Sequence, residues 1–146
     1  MINVTSLKLP ATMKNLDSMI SYVLDKAKKF NLCDKKLLYK LRLVCEEVLV
    51  NIINYAYQDL NEVGYVEIAC DIDTKDKKIT LKFIDEGIAF NMLDYEDPDL
   101  TLPLSERKAG GLGIYIIKTI MDKIEYHRED GKNTLILIKS IANFIE

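Results

Sequence analysis

The sequence holds a single histidine, His127, and only three cysteines in 146 residues. One imidazole cannot build a histidine-rich metal site. Cys33, Cys45 and Cys70 are odd in number, lie far apart and form no CxxC pair. That spacing argues against a disulfide framework and for a reduced, cytoplasmic protein with packed thiols. No apolar run approaches the ~18–20 residues of a membrane span, so no membrane association is expected. The opening "MINVTSLKLP" lacks the basic-then-apolar plan of a signal peptide. Positive charge is not in excess either. A formal net charge of −3 argues against direct nucleic-acid binding, which normally leaves a basic footprint.

Proline is scarce too, at three residues, and two of them fall in one stretch, 91–109, "NMLDYEDPDLTLPLSERKA". This segment has no periodicity. So long a nonrepetitive stretch inside a domain of this size points to a functional lid or a mobile segment. Elsewhere the chain is 49% hydrophobic and 29% charged, the profile of one soluble globular domain spanning residues 1–146.

Regular elements are legible around the loop. Residues 2–9 read as a strand closed by Pro10. Leu16, Met19, Ile20, Val23, Leu24, Ala27 and Phe30 keep helical spacing, and Asn31 to Asp34 break it. Asp34 then offers an N-cap for a second helix, whose stripe runs from Leu37 through Val44, Val48 and Ile52 to Ala56. Residues 65–73 and 79–85 alternate as strands. Glycines run into a third helix at "GGLGIYIIKTIMDK", and two last strands flank Asp130-Gly131, a tight-hairpin signal. The order β-α-α-β-β-loop-α-β-β predicts a two-layer α+β sandwich. Its sheet should be mixed, mainly antiparallel, and covered by helices on one face.

Four features carry candidate chemistry. In "ITLKFIDEGIAF" strand alternation puts Asp85 on the side of Ile79, Leu81 and Phe83, where an unpaired carboxylate is costly. Either Asp85 turns into water, or it meets something polar, such as a ligand amino group, with Gly87 allowing close backbone approach. On the second helix Glu47 and Asn51 stack one turn apart, off the apolar stripe. They could be solvated, or they could pair a proton acceptor with an amide oxygen suited to Mg²⁺. Gly110, Gly111, Leu112 and Gly113 open the third helix, as a hinge or as a cradle for phosphate. Thr134 sits on the last strand, either through strand propensity alone or close to Asp85.

In this order and spacing, Glu47-x-x-x-Asn51, Asp85-x-Gly87-x-x-Phe90, the long loop, Gly111-x-Gly113 and Thr134 resemble the Bergerat-fold (GHKL) ATP-binding superfamily. That superfamily includes gyrase B, sensor histidine kinases and MutL. The small size and "GGLGIYIIKTIMDKIEY" are most similar to the stand-alone anti-sigma factor/serine-protein kinases. The resemblance implies ATP and Mg²⁺ as ligands. Glu47 would be the general base and Asn51 the magnesium ligand. Asp85 would accept from adenine N6 with Thr134 in support, while Gly87 and Phe90 belong to the adenine motif. Gly110, Gly111, Leu112 and Gly113 would meet the phosphates, under a lid at 91–109. Arg107 and Lys108 are cations placed to reach the γ-phosphate. Glu46 offers a second carboxylate beside Glu47, but the i, i+4 spacing to Asn51 favours Glu47. The implied partners are an anti-sigma-factor antagonist as protein substrate, a sigma factor, and a second copy of the chain as homodimer. A nucleotide-switched binding module and an ATP hydrolase remain alternatives. Tyr55, where some members carry a basic residue, bears on partner specificity.

Overall fold

Asp34 starts the longest helix. Its side chain accepts a hydrogen bond from the Leu37 N–H at 3.0 Å, satisfying one of the orphan donors of the first turn. The helix that precedes it ends by an equally specific device. Asn31 adopts a left-handed φ of 64°, and the N–H groups of Leu32 and Asn31 return to the carbonyls of Ala27 and Lys28. This is a Schellman closure with asparagine where glycine is commoner. Asp34→Ala is expected to cost about 1 kcal/mol of stability, read as a lower denaturant midpoint with unchanged slope.

The computed structural model describes residues 5–58, 60–103, 105 and 111–144. Strand β1 (Ser6–Pro10) leads to helices α1 (Leu16–Lys29) and α2 (Lys35–Asn51). Strands β2 (Tyr65–Asp73) and β3 (Lys78–Asp85) follow, then helix α3 (Leu112–Ile120) and strands β4 (Lys123–Glu129) and β5 (Lys132–Ser140). The five strands form one sheet in the order β1-β2-β3-β5-β4. Every pairing is antiparallel, so the sheet is simpler than the mixed one allowed from sequence. Asp130 and Gly131 both take positive φ, 52° and 75°, as the type I′ turn between β4 and β5 requires.

Alternation decides which face is buried. Val66, Ile68 and Cys70 of β2, Ile79, Leu81 and Phe83 of β3, and Leu137 of β5 enter one core. Met19, Val23 and Ala27 of α1, Leu37, Leu41, Val44 and Leu49 of α2, and Ile114 and Ile117 of α3 join them. The opposite face carries Glu67, Lys82, Thr134 and Glu125 among half-buried isoleucines. Cys45 and Cys70 are packed thiols, as their apolar faces foretold. Burial raises both, that of Cys70 to about 12, so they stay protonated. Among the described residues, no helix is long and apolar enough to cross a membrane.

Past Asn51 the second helix changes its winding. The apolar stripe suggested a regular helix through Ala56. Instead α2 ends at Asn51, and residues Ile52–Ala56 wind as a π-helical turn. Such wider turns tend to occur where a helix serves a site, because they re-aim the residues that follow. Here the turn delivers the Ala56 carbonyl to the Ile88 N–H at 2.9 Å, tying the end of α2 to the loop after β3.

Candidate functional site

Strand alternation carries Asp85 to the inner face, and the structure keeps it there, 7% exposed. Its Oδ1 accepts from the Gly87 N–H and from Asn133 Nδ2, each at 2.9 Å. Burial pushes the Asp85 carboxyl above its ordinary range, and these two donors together with the nearby Arg128 charge oppose the rise. Both bonds fall on Oδ1. Among the described residues no buried side-chain polar atom lacks a partner, so Oδ2 reaches accessible space. Asp85 is one wall of a cavity of about 90 Å³ whose lining also includes Val48, Asn51, Ile52, Tyr55, Ile88, Phe90, Met92, Tyr126 and Leu135. An apolar slot with one charged acceptor on its wall suits a flat base bearing an amino group.

The loop that ends β3 is clamped from three sides. A Cβ on Gly87 would lie 2.2 Å from the Ala56 carbonyl oxygen, so only glycine lets the backbone pass. Arg128 Nη1 donates to the Gly87 carbonyl at 2.8 Å. The Tyr57 hydroxyl accepts from the Glu86 N–H at 2.8 Å and donates to the Tyr65 carbonyl at 2.5 Å. Phe90 lies at the cavity wall, half-exposed, with its ring edge-to-face on Tyr95 at 5.6 Å.

The other end of the site is built by α2 and α3. Asn51 lines the cavity, and Glu47 sits one turn before it on α2. Gly111 opens α3 in a left-handed conformation, φ 83°, leaving the first N–H groups of the helix without intrahelical partners. A Cβ on Gly113 would stand 2.2 Å from Glu47 Oε2. The carboxylate therefore rests directly against the glycine backbone of the helix start. Desolvation, and then the charge of neighbouring Glu46, raise the Glu47 carboxyl above its ordinary range. Raised proton affinity is what a general base near neutral pH needs. Glu46 is exposed, whereas Glu47 is half-buried.

Not every residue named from sequence falls in place. Strands β3 and β5 do lie side by side, but their register sets Asn133 opposite Asp85 and Thr134 opposite Ile84. Thr134 therefore faces away from the cavity, and the support expected of it comes from Asn133. Counting back by twos from buried Leu137 through Leu135 reaches Asn133, a signal available in the sequence. Tyr126, whose hydroxyl donates to Asn133 Oδ1, was also unanticipated, as were Tyr57 and Arg128. Leu112 is exposed at the start of α3. Arg107, Lys108 and Gly110 lie outside the described residues. The described part of the 91–109 segment includes a short 3-10 turn, Met92–Asp94, and is tied to α3 by Lys118, which reaches Asp97 at 3.2 Å and the Tyr95 carbonyl at 3.0 Å.

Comparison with known proteins agrees with this geometry. The family described as histidine kinase-like ATPase domain matches residues 9–139. The chain belongs to that family. Within it, the chain is 33% identical over 97 residues to an anti-sigma F factor of Caldanaerobacter subterraneus subsp. tengcongensis, covering 66% of this chain and 64% of that protein. It is 28% identical over 100 residues to a serine-protein kinase RsbW of Bacillus cereus, covering 66% of this chain and 60% of the relative. The chain spans less than two thirds of those relatives' length. Among solved structures, the RsbU and RsbW domains of a Mycobacterium tuberculosis protein superpose with a TM-score of 0.63 at 12% identity, over 94% of this chain and 32% of that one. The Acinetobacter baumannii histidine kinase AdeS gives 0.51 at 18% identity, over 97% of this chain and 70% of that one. These two likenesses bear on the fold alone.

Proposed function

We propose that this protein binds Mg-ATP in the cavity beside Asp85 and phosphorylates a serine or threonine of an anti-sigma-factor antagonist. When the antagonist is unavailable it holds a sigma factor out of action, so that it regulates transcription from the cytoplasm, as a homodimer. The names of its relatives, an anti-sigma F factor and a serine-protein kinase, support this reading. One structural observation carries it: Glu47 is held against the glycine start of α3, one turn from Asn51, whose side chain lines the same cavity as Asp85.

The residues fit the ligands. Asp85 Oδ2 offers an acceptor to the adenine amino group between apolar walls. Mg²⁺ takes few protein oxygens when phosphates complete its shell, so the Asn51 carboxamide is a sufficient protein ligand. Bound Mg-ATP supplies the phosphoryl group and the charge neutralisation that phosphoryl transfer depends on. The chain's own part is positioning and proton handling. Glu47 accepts the proton of the attacking serine or threonine hydroxyl, and the first N–H groups of α3 orient the phosphates. The 91–109 segment, with Arg107 and Lys108 near its end, acts as the lid.

The test is incubation with γ-labelled ATP and the proteins encoded beside this one. Label on a serine or threonine of one of them is expected. Release of free phosphate without a protein acceptor would make the protein a hydrolase. ATP binding with neither outcome would make it a nucleotide-switched binding module.

A further inference from the structure

Asn133 is 5% exposed and sits where β5 passes the end of β3. Its amide has no freedom of orientation. Nδ2 donates to Asp85 Oδ1 at 2.9 Å and to the Ile88 carbonyl at 2.7 Å, and Oδ1 accepts from the Tyr126 hydroxyl. Two acceptors on one side and a donor on the other permit only this placement of oxygen and nitrogen. With both Nδ2 protons engaged, Asn133 lines the cavity yet has no donor to offer a ligand. Its effect on a ligand passes through Asp85.

We propose that Asn133 is a positioning residue that sets which purines the cavity accepts. By engaging Asp85 Oδ1 it leaves Oδ2 as the acceptor facing the base, and so selects an amino group over a carbonyl at purine C6. The inference rests on the nucleotide reading given above and adds a residue and a selectivity to it. A carbonyl in that place would set two acceptors against each other in a desolvated slot. Without Asn133 the carboxylate keeps only the Gly87 N–H, and its χ2 is released. The hydrogen bond that opposes its protonation is also removed. A protonated carboxyl donates as readily as it accepts. Discrimination between the two purines then fades.

The experiment measures dissociation constants for Mg-ATP and Mg-ITP, which share ribose and triphosphate and differ at C6. A hydrogen bond to a charged group is worth ~1.5–3 kcal/mol. The wild-type chain is therefore expected to bind ATP at least ~10-fold more tightly than ITP. In Asn133→Ala the ratio should fall below ~3, with thermal melting as the control for folding. General destabilisation weakens both nucleotides and does not move the ratio. Asp85→Asn gives an independent arm. The donors from Gly87 and Asn133 demand the amide oxygen of that variant, which turns its NH₂ into the cavity, so the order should reverse in favour of ITP. An unchanged ratio in Asn133→Ala, or ATP still preferred by Asp85→Asn, overturns the proposal. Wild-type protein that binds neither nucleotide instead overturns the reading of the cavity as a nucleotide site.

Discussion

Glu47→Gln is expected to lower phosphotransfer to the protein substrate by about 10²–10⁴-fold, the usual worth of a general base. ATP affinity should change by no more than a factor of about 2, because the side chain keeps its size beside Gly113 and the adenine end is untouched. The pH dependence gives a second handle. Burial, and then Glu46, raise the Glu47 carboxyl, and only its ionised form accepts a proton. Activity should therefore fall as pH drops through a value above the ordinary glutamate range. Glu46→Gln removes the nearby negative charge, lowers the Glu47 pKa, and should shift that acid limb to lower pH. Steady-state rates of the three proteins between pH 5 and 8, a span on the order of the physiological range, check both statements. An acid limb that stays in place in Glu46→Gln would contradict the assignment.

Gly113→Ala carries the second large effect, with opposite signs on stability and activity. Alanine is better than glycine in a helix interior by about 0.8–1 kcal/mol, and α3 includes position 113 in its first turn. The melting temperature should hold or rise. Yet the added Cβ would lie 2.2 Å from Glu47 Oε2, so the carboxylate must swing away. Displacing a catalytic group by about 1 Å can cost about 100-fold in rate. A drop in kcat of about that size, at unchanged or higher melting temperature, is expected. Full activity in Gly113→Ala would mean that the glycine serves another purpose.

Much of this architecture is legible in residue order because it depends on local chemistry. The stripes of α1 and α2, the Asp34 cap and the Asp130-Gly131 turn each need only a few neighbouring residues, and each is found where expected. Alternation from Ile79 to Phe83 likewise placed Asp85 on the inner face without knowledge of what it meets. What stayed hidden depends on pairing. Asn133 rather than Thr134 stands beside Asp85 because of the register between β3 and β5, which neither strand encodes alone. The π-helical turn after Asn51 escaped as well, since Ile52, Ile53 and Ala56 satisfy a regular helical stripe equally well. Tyr57 reads as one more aromatic on that helix until the chain returns beneath it. Its ring lies so close to Gly64 that a Cβ there would stand 2.1 Å from it. Contacts of that kind arise only from the assembled fold.

We place ATP in the cavity beside Asp85. Calorimetric titration of the wild-type chain and of Asp85→Ala with Mg-ATP tests this placement most directly. A single saturable site is expected in the wild type. In Asp85→Ala, loss of the charged acceptor worth ~1.5–3 kcal/mol should weaken binding by roughly 10- to 150-fold. Equal affinity in the two folded proteins would contradict the claim.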